Sequence, residues 1–211
     1  MSELIIVIGE SGTGKSTSLR NLKAGETIVI NVGGKKMPFR GGDKKFGKNI
    51  LHTTNSGKIC SWLEKIKAKK EIKNIVIDDF QYIASFELLS RANEKGYDKF
   101  TQIAHNVFMP LKEATSLRDD QKTIILMHSE TDENGRTRAK TVGKMISNIL
   151  NLESLATVVL YTEINDDGYF FRTQNNKNNT GKSPLGMFPE PLIENDLVEV
   201  IKKIDEYYEE D

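Results

Sequence analysis

The run Gly9-Glu10-Ser11-Gly12-Thr13-Gly14-Lys15-Ser16, followed by Thr17, fulfils the pattern GxxxxGK[ST] at every fixed position. Each of those positions has a chemical reason. Glycines let successive backbone N–H groups turn inward around a β-phosphate, and a helix start adds partial positive charge. A lysine at the seventh position reaches the β- and γ-phosphates, and the hydroxyl at the eighth ligates Mg²⁺. With glycine near 7% of residues, a chance match in a chain of this length is on the order of one in a hundred. The run therefore predicts a nucleoside triphosphate site in which Gly9 to Thr17 hold the nucleotide. Such a site needs an acid at the tip of a neighbouring strand, and Asn74-Ile75-Val76-Ile77-Asp78-Asp79 supplies two. Asp78 is expected to hold Mg²⁺ together with Ser16, and Asp79 to orient the attacking water as catalytic base. An apolar run at 123–127 ends in His128, which is read either as a group facing the γ-phosphate or as a polar strand cap. Lys15, Asp79 and His128 form the catalytic set. His52, His105 and the lone Cys60 show no zinc-like spacing.

These side chains require strands that end at one level. Leu4-Ile5-Ile6-Val7-Ile8 is a continuous β-branched run that ends at Gly9, the habit of a strand buried on both faces of a parallel sheet. Further apolar runs lie at 27–30, 74–77, 123–127 and 156–161. Between them, Ile59, Leu63, Ile66, then Ile83, Phe86, Leu89, then Phe100, Ile103, Val107, Leu111 recur at helical spacing. A helix is expected through Thr17, Leu19 and Leu22. Asn165-Asp166-Asp167-Gly168 marks a C-terminal hairpin between strands at 158–163 and 169–173, and a final helix is expected from about 193 to 208. Residues 31–48 and 174–184 read as long loops. The prediction is α/β: a mostly parallel central sheet flanked by helices, closed by a β-hairpin, in one domain over residues 1–211 with an acidic helix or tail from about 193.

With these residues in view, four segments resemble the phage and prophage group of P-loop ATP-binding proteins with a RecA-like core, often classed with AAA-type ATPases. They are GESGTGKSTSLRNL, NIVIDDFQYI, the block at 92–146 that opens ANEKGYDKFTQIAH and closes RTRAKTVGKMI, and TGKSPLGMFPEPL. Some members act as RecA-like single-strand annealing proteins beside a single-strand binding protein. The resemblance spans about residues 4–208. It implies ATP and Mg²⁺ as ligands, a RecA-type sheet, a role in phage DNA recombination or replication, and residence in the host cytoplasm. By the family's motif Gly9 to Thr17 carry the nucleotide, Asp78 the metal, and His128 the γ-phosphate sensor. The chain departs from full-length RecA in lacking an N-terminal polymerisation segment, a distinct C-terminal domain and a Glu beside Asp78. Those departures weigh against filaments and fast hydrolysis.

Net charge is uninformative until it is divided along the chain. Thirty basic residues balance thirty acids, yet residues 35–73 hold twelve cations against Asp43, Glu64 and Glu71. Lys35, Lys36 and Arg40 sit in the first long loop. Arg136, Arg138, Lys140 and Lys144 follow the His128 strand, at 130–144, where RecA-like cores keep mobile DNA loops; 174–183 is the second such place. These cations predict salt-dependent binding of single-stranded DNA, with Phe39 and Phe46 as the only aromatics among the basic residues of the early loop. The bland counterpart is a solvated Lys-rich helix face at 65–73. Lys182 or Arg172 is expected to supply a cation in trans if the chain forms homo-oligomers, or else to be an ordinary surface residue. From Glu190 onward nine acids face two lysines, a solubilising helix end or a shield for a basic surface. No apolar run reaches 18 residues, so no membrane partner is expected, and the start carries no basic signal-peptide region. Asn176-Lys177-Asn178-Asn179 lacks the Asp that guanine recognition needs, which favours ATP over GTP, and no Arg-rich kinase lid is evident. Two functions remain: an ATPase acting on single-stranded DNA, and a weakly hydrolysing ATP-binding partner for replication proteins.

Overall fold

The computed structural model describes residues 2–141 and 151–209. Its centre is β1 (Glu3–Gly9), buried without interruption from Leu4 onward. A strand with no solvated face must lie inside a sheet covered on both sides. β1 pairs in parallel with β5 (Lys122–Thr131) on one side and β7 (Val158–Asn165) on the other. Beyond β5 come β4 (Asn74–Asp78), β2 (Thr27–Asn31) and β3 (Ile50–His52), also parallel. Beyond β7 come β8 (Gly168–Arg172) and β9 (Leu192–Glu194), both antiparallel. The order is thus β3-β2-β4-β5-β1-β7-β8-β9, with β6 (Thr137–Ala139) paired to the far end of β5. The sheet is mixed but mostly parallel, and helices flank it.

Alternation along β1 divides the core. Leu4, Ile6 and Ile8 face α2 (Ser56–Lys67), α3 (Tyr82–Ser90) and α4 (Asp98–Thr115), through Ile59, Leu63, Ile83, Ile103 and Val107. Ile5 and Val7 face the other layer, where Phe46 of α1 (Gly42–Phe46) and Leu197, Val200 and Ile204 of the last helix lie. A single helical turn, α5 (Leu152–Leu155), precedes β7. The helical spacings read from the sequence thus match α2, α3 and α4, although Phe86 and Leu89 on α3 stay exposed. None of the described helices is long and apolar enough to cross a membrane.

Several expectations need correction. The helix after the glycine-rich loop is a six-residue 3-10 helix, Ser16–Asn21, rather than an α-helix. Only eleven residues separate Lys15 from β2, and they must travel back along a strand about 17 Å long. Winding at about 2.0 Å per residue covers more of that distance than an α-helix at 1.5 Å. The last helix, α6 (Leu197–Glu209), starts four residues later than expected. Ile193 is paired with Phe171 in β9, and the Asp196 carboxylate accepts from the Val198 N–H to start the helix. The loop expected at 130–144 is a β-hairpin as far as Ala139, turning at Asp132–Gly135. The long loop at 31–48 contains α1, with the Phe39 and Phe46 rings edge to face and Phe46 in the core, so neither aromatic is free to stack on a base. The C-terminal hairpin forms as expected, with a two-residue Asp166–Asp167 turn. As far as Glu209 the acidic end is a docked amphipathic helix: Lys122 pairs with Asp205, and Lys202 and Lys203 with Glu206.

Candidate functional site

In a parallel sheet the carboxyl ends of the strands open on one edge, where loops diverge and leave a crevice. Gly9 at the end of β1 is level with His128 in β5, and β4 ends beside them at Asp78. Residues 62 apart in sequence meet there: the Ser16 hydroxyl donates to Asp78 Oδ1 at 3.0 Å. Lys15 is 6% exposed, and its ammonium donates to the carbonyls of Gly9 (2.8 Å) and Glu10 (2.6 Å). Gly14 adopts φ +96°, open to glycine at no steric cost, and a Cβ there would press on Asn195 and Tyr169 at 3.2 Å.

Asp79 leaves the strand in the left-handed region, φ +59°, which Asp tolerates better than most residues but at a cost. That turn aims its buried carboxylate at two partners. Oδ1 lies 3.2 Å from His128 Nε2, and Oδ2 lies 3.0 Å from the Lys35 ammonium. A carboxylate only accepts, so His128 carries its proton on Nε2. Gln81, itself buried, ties the pair together: its amide approaches Asp79 Oδ1 at 3.4 Å and its carbonyl accepts from the His128 backbone N–H at 3.2 Å. Lys35 reaches Asp79 because the chain after β2 passes close by. A Cβ on Gly33 would fall 2.3 Å from Asp79 Oδ2, so any larger residue would push that carboxylate aside. Buried Asn31 then clamps that turn, accepting from the Gly34 N–H at 2.7 Å and donating to the Lys35 carbonyl at 2.5 Å.

Burial sets the electrostatics. It pushes the Asp78 carboxyl up to about 6, reinforced by the neighbouring Asp79 charge. It lowers Lys15 to about 8 against the pull of both acids. His128 is lowered by burial and by Lys15, which keeps the imidazole neutral near pH 7, whereas the hydrogen bond to Asp79 raises Lys35. Two cations and two acids are thus held in partial desolvation around a cavity of about 180 Å³ lined by Ser11, Lys15, Ser16, Asp78, Asp79 and His128. A buried carboxylate whose side-chain partner is a hydroxyl suits a hard cation that keeps waters and phosphate oxygens as its other ligands. No cluster of three or more His, Cys, Asp or Glu among the described residues could hold a metal unaided. A second cavity of about 660 Å³ continues past Gly12, Gly14 and Thr17 to Arg20, Tyr169 and Asn195.

The structure therefore brings together Lys15, Ser16, Asp78, Asp79 and His128, and adds Lys35, Gln81 and Asn31. Lys35 sits at this site, so its assignment to a DNA surface is revised; Lys36 lines the same cavity. Arg40 is exposed elsewhere in the loop. Arg136 and Lys140 are exposed on the β5–β6 hairpin and its exit, whereas Arg138 pairs with Glu130 at 3.0 Å. Lys144 lies outside the described residues. The hairpin touches the 174–180 segment, where the Thr137 N–H donates to the Asn178 carbonyl at 2.6 Å, and together they border a cavity of about 600 Å³. Arg172 is committed to a two-pronged pair with Glu163 at 2.6 and 2.9 Å, which leaves no free fork for a neighbouring subunit. Lys182 is exposed, but its backbone bridges Val159, three rungs back from the loop end of the sheet. No protein-family model matches the chain, and no curated protein matches it in sequence.

Proposed function

We propose that the chain is a Mg²⁺-dependent ATP-binding protein and ATPase with a RecA-like P-loop core, acting on single-stranded DNA in phage recombination or replication. The observation that carries the reading is the meeting of Ser16 and Asp78 at 3.0 Å beside the buried Lys15. Nothing in apolar packing requires a hydroxyl, a carboxylate and an ammonium to converge at the ends of separate strands, and burying them unpaired is costly. Mg²⁺ held by Ser16 and Asp78 would supply charge neutralisation across the phosphates. The backbone around Gly12 to Ser16 binds the phosphate chain, and Lys15 exchanges the Gly9 and Glu10 carbonyls for phosphate oxygens. Tyr169 offers a half-exposed ring beside the second cavity for the nucleoside.

In hydrolysis, a water oxygen bonds to the terminal phosphorus. The bond from that phosphorus to the bridging oxygen breaks, its electron pair leaving with the nucleoside diphosphate. Asp79 accepts the water's proton, and His128, neutral and protonated on Nε2, orients Asp79. The contact of the β5–β6 hairpin with the 174–180 segment supports the DNA part of the reading, because the touching segments carry the exposed cations Arg136 and Lys177.

One observation favours the slower alternative, an ATP-binding partner module. Both oxygens of Asp79 are already engaged, by Lys35 and by His128. Steady-state ATP turnover with and without single-stranded DNA, beside an annealing assay, on wild type and Lys15→Ala tests both. DNA-stimulated turnover that Lys15→Ala abolishes is the expected result. Tight ATP binding without turnover identifies the module instead, and competition of ATP with GTP identifies the base.

A further inference from the structure

Lys35 is a cation with two available partners. Its backbone is fixed by Asn31, which holds Gly34 N–H and the Lys35 carbonyl at once, and by the close pass of Gly33 under Asp79. Its side chain is not fixed in the same way: it is 60% exposed and reaches Asp79 Oδ2 at 3.0 Å across the mouth of the small cavity. Asp79 by contrast is 9% exposed, strained at φ +59° and held on its other oxygen by His128. A solvent-exposed point charge thus caps a buried carboxylate, beside the cavity that Lys15, Ser16 and Asp78 also line. The Tyr82 ring lies 5.5 Å from the same ammonium and gives it a second, softer contact.

Resting on the nucleotide reading above, we propose that Lys35 is the residue that senses the terminal phosphate, leaving Asp79 for the phosphate when a triphosphate enters and so releasing Asp79 to act as base. The exchange follows from charge. Asp79 offers Lys35 one shared negative charge, whereas a terminal phosphate offers more than one, and a lysine ammonium follows charge rather than a fixed geometry. A diphosphate ends short of this position and leaves Lys35 on Asp79. Lys35 so couples occupancy of the terminal phosphate position to the availability of the base, and water in an empty or diphosphate-bound site meets a carboxylate whose two oxygens are engaged. It joins the site from the turn after β2, independently of the glycine-rich run.

The test compares affinities for a non-hydrolysable triphosphate analogue and for ADP, both with Mg²⁺, by calorimetry on wild type, Lys35→Ala, Lys35→Arg and the exposed control Lys70→Ala. Wild type and Lys70→Ala are expected to prefer the triphosphate by about tenfold or more, the scale of one charge-assisted phosphate contact. Lys35→Ala is expected to lose most of that preference while its ADP affinity changes by less than about threefold, and Lys35→Arg to recover part of it. Full preference in Lys35→Ala overturns the proposal, and so does a loss confined to single-stranded DNA affinity, which returns Lys35 to the DNA surface. Wild type that binds neither nucleotide overturns the nucleotide reading itself, and the role of Lys35 with it.

Discussion

Two of the cavities beside the sheet are built by opposite means. The small one gathers Lys15, Ser16, Asp78, Asp79 and His128 from three strand ends, and its charged groups are largely buried. The larger one lies between the β5–β6 hairpin and the 174–180 segment. Its charges are exposed or half-exposed, and pairs such as Arg138 with Glu130 eight residues away and Asp132 with the N–H groups of its own turn are local. Desolvated opposite charges in the first cavity cost free energy unless a ligand completes them, whereas the second could lose its charges with little consequence to folding. Convergence under burial, more than number of charges or size of cavity, separates a candidate for chemistry from a candidate for surface binding.

The largest effect that tests this contrast is at Lys15. Lys15→Ala is expected to lower ATP turnover by about 10²–10³-fold, the scale of one transition-state charge contact, measured by phosphate release. A loss below tenfold would make the small cavity no different in kind from the large one. Asp79→Asn is expected to lower turnover by about 10²-fold with nucleotide affinity kept, since it removes the proton acceptor alone.

The burial argument also predicts a gain. Asp78→Asn keeps an acceptor for Ser16 but removes a charge from a site only 6% exposed. The nucleotide-free protein should therefore become more stable by about 1–3 kcal/mol at pH 8, read as a higher denaturation midpoint, while its Mg²⁺-dependent nucleotide affinity falls. A less stable variant would mean that Lys15 already compensates Asp78 in full.

How much of this was legible in the sequence depends on whether the signal is contiguous. Gly9 to Ser16 is a spaced motif after an apolar run, and Asp78 closes a second such run, so β1, β4 and the pair they bring together follow from local pattern. Lys35 does not. It lies 44 residues from Asp79 in a Lys-rich stretch, and nothing but the path of β2 and the absence of a side chain at Gly33 decides that it turns inward. Gln81 is hidden for the same reason, since its role needs Asp79 in a left-handed conformation that sequence does not announce. The 3-10 winding of Ser16–Asn21 was set by the distance back to β2, and the late start of α6 by strand pairing at Ile193. Local propensity yields to such tertiary constraints.

In the cavity between the β5–β6 hairpin and the 174–180 segment the walls are joined by neutral groups. The Tyr161 hydroxyl, buried with the ring, donates to the Thr137 carbonyl at 3.1 Å and meets the Thr180 hydroxyl at 2.6 Å. Burial pushes its pKa up to about 12. The folded chain therefore keeps a proton that the unfolded chain releases near pH 10, so this contribution is whole below pH 10 and is lost as pH rises toward 12. It amounts to about 1–2 kcal/mol. Tyr161→Phe should remove that alkaline slope and cost about 1 kcal/mol at pH 8, the worth of one hydrogen bond.

The smallest expected effect is the one that decides whether the larger cavity has a ligand at all. Arg136 and Arg138 are two residues apart on the same hairpin, but among the described residues only Arg138 forms an ion pair, at 3.0 Å to Glu130. A phosphate of single-stranded DNA that recruits Arg138 must displace Glu130, whereas the exposed Arg136 has no such acidic side-chain partner among the described residues. Arg136→Ala is therefore expected to weaken DNA binding about three- to tenfold and to flatten the slope of log affinity against log salt by about 0.7, the value for one phosphate contact on a single strand. Arg138→Ala should change both by less. Equal effects would mean that the pair opens on binding, and no effect from either would confine nucleic acid to another face, leaving the small cavity as the sole working site described for this chain.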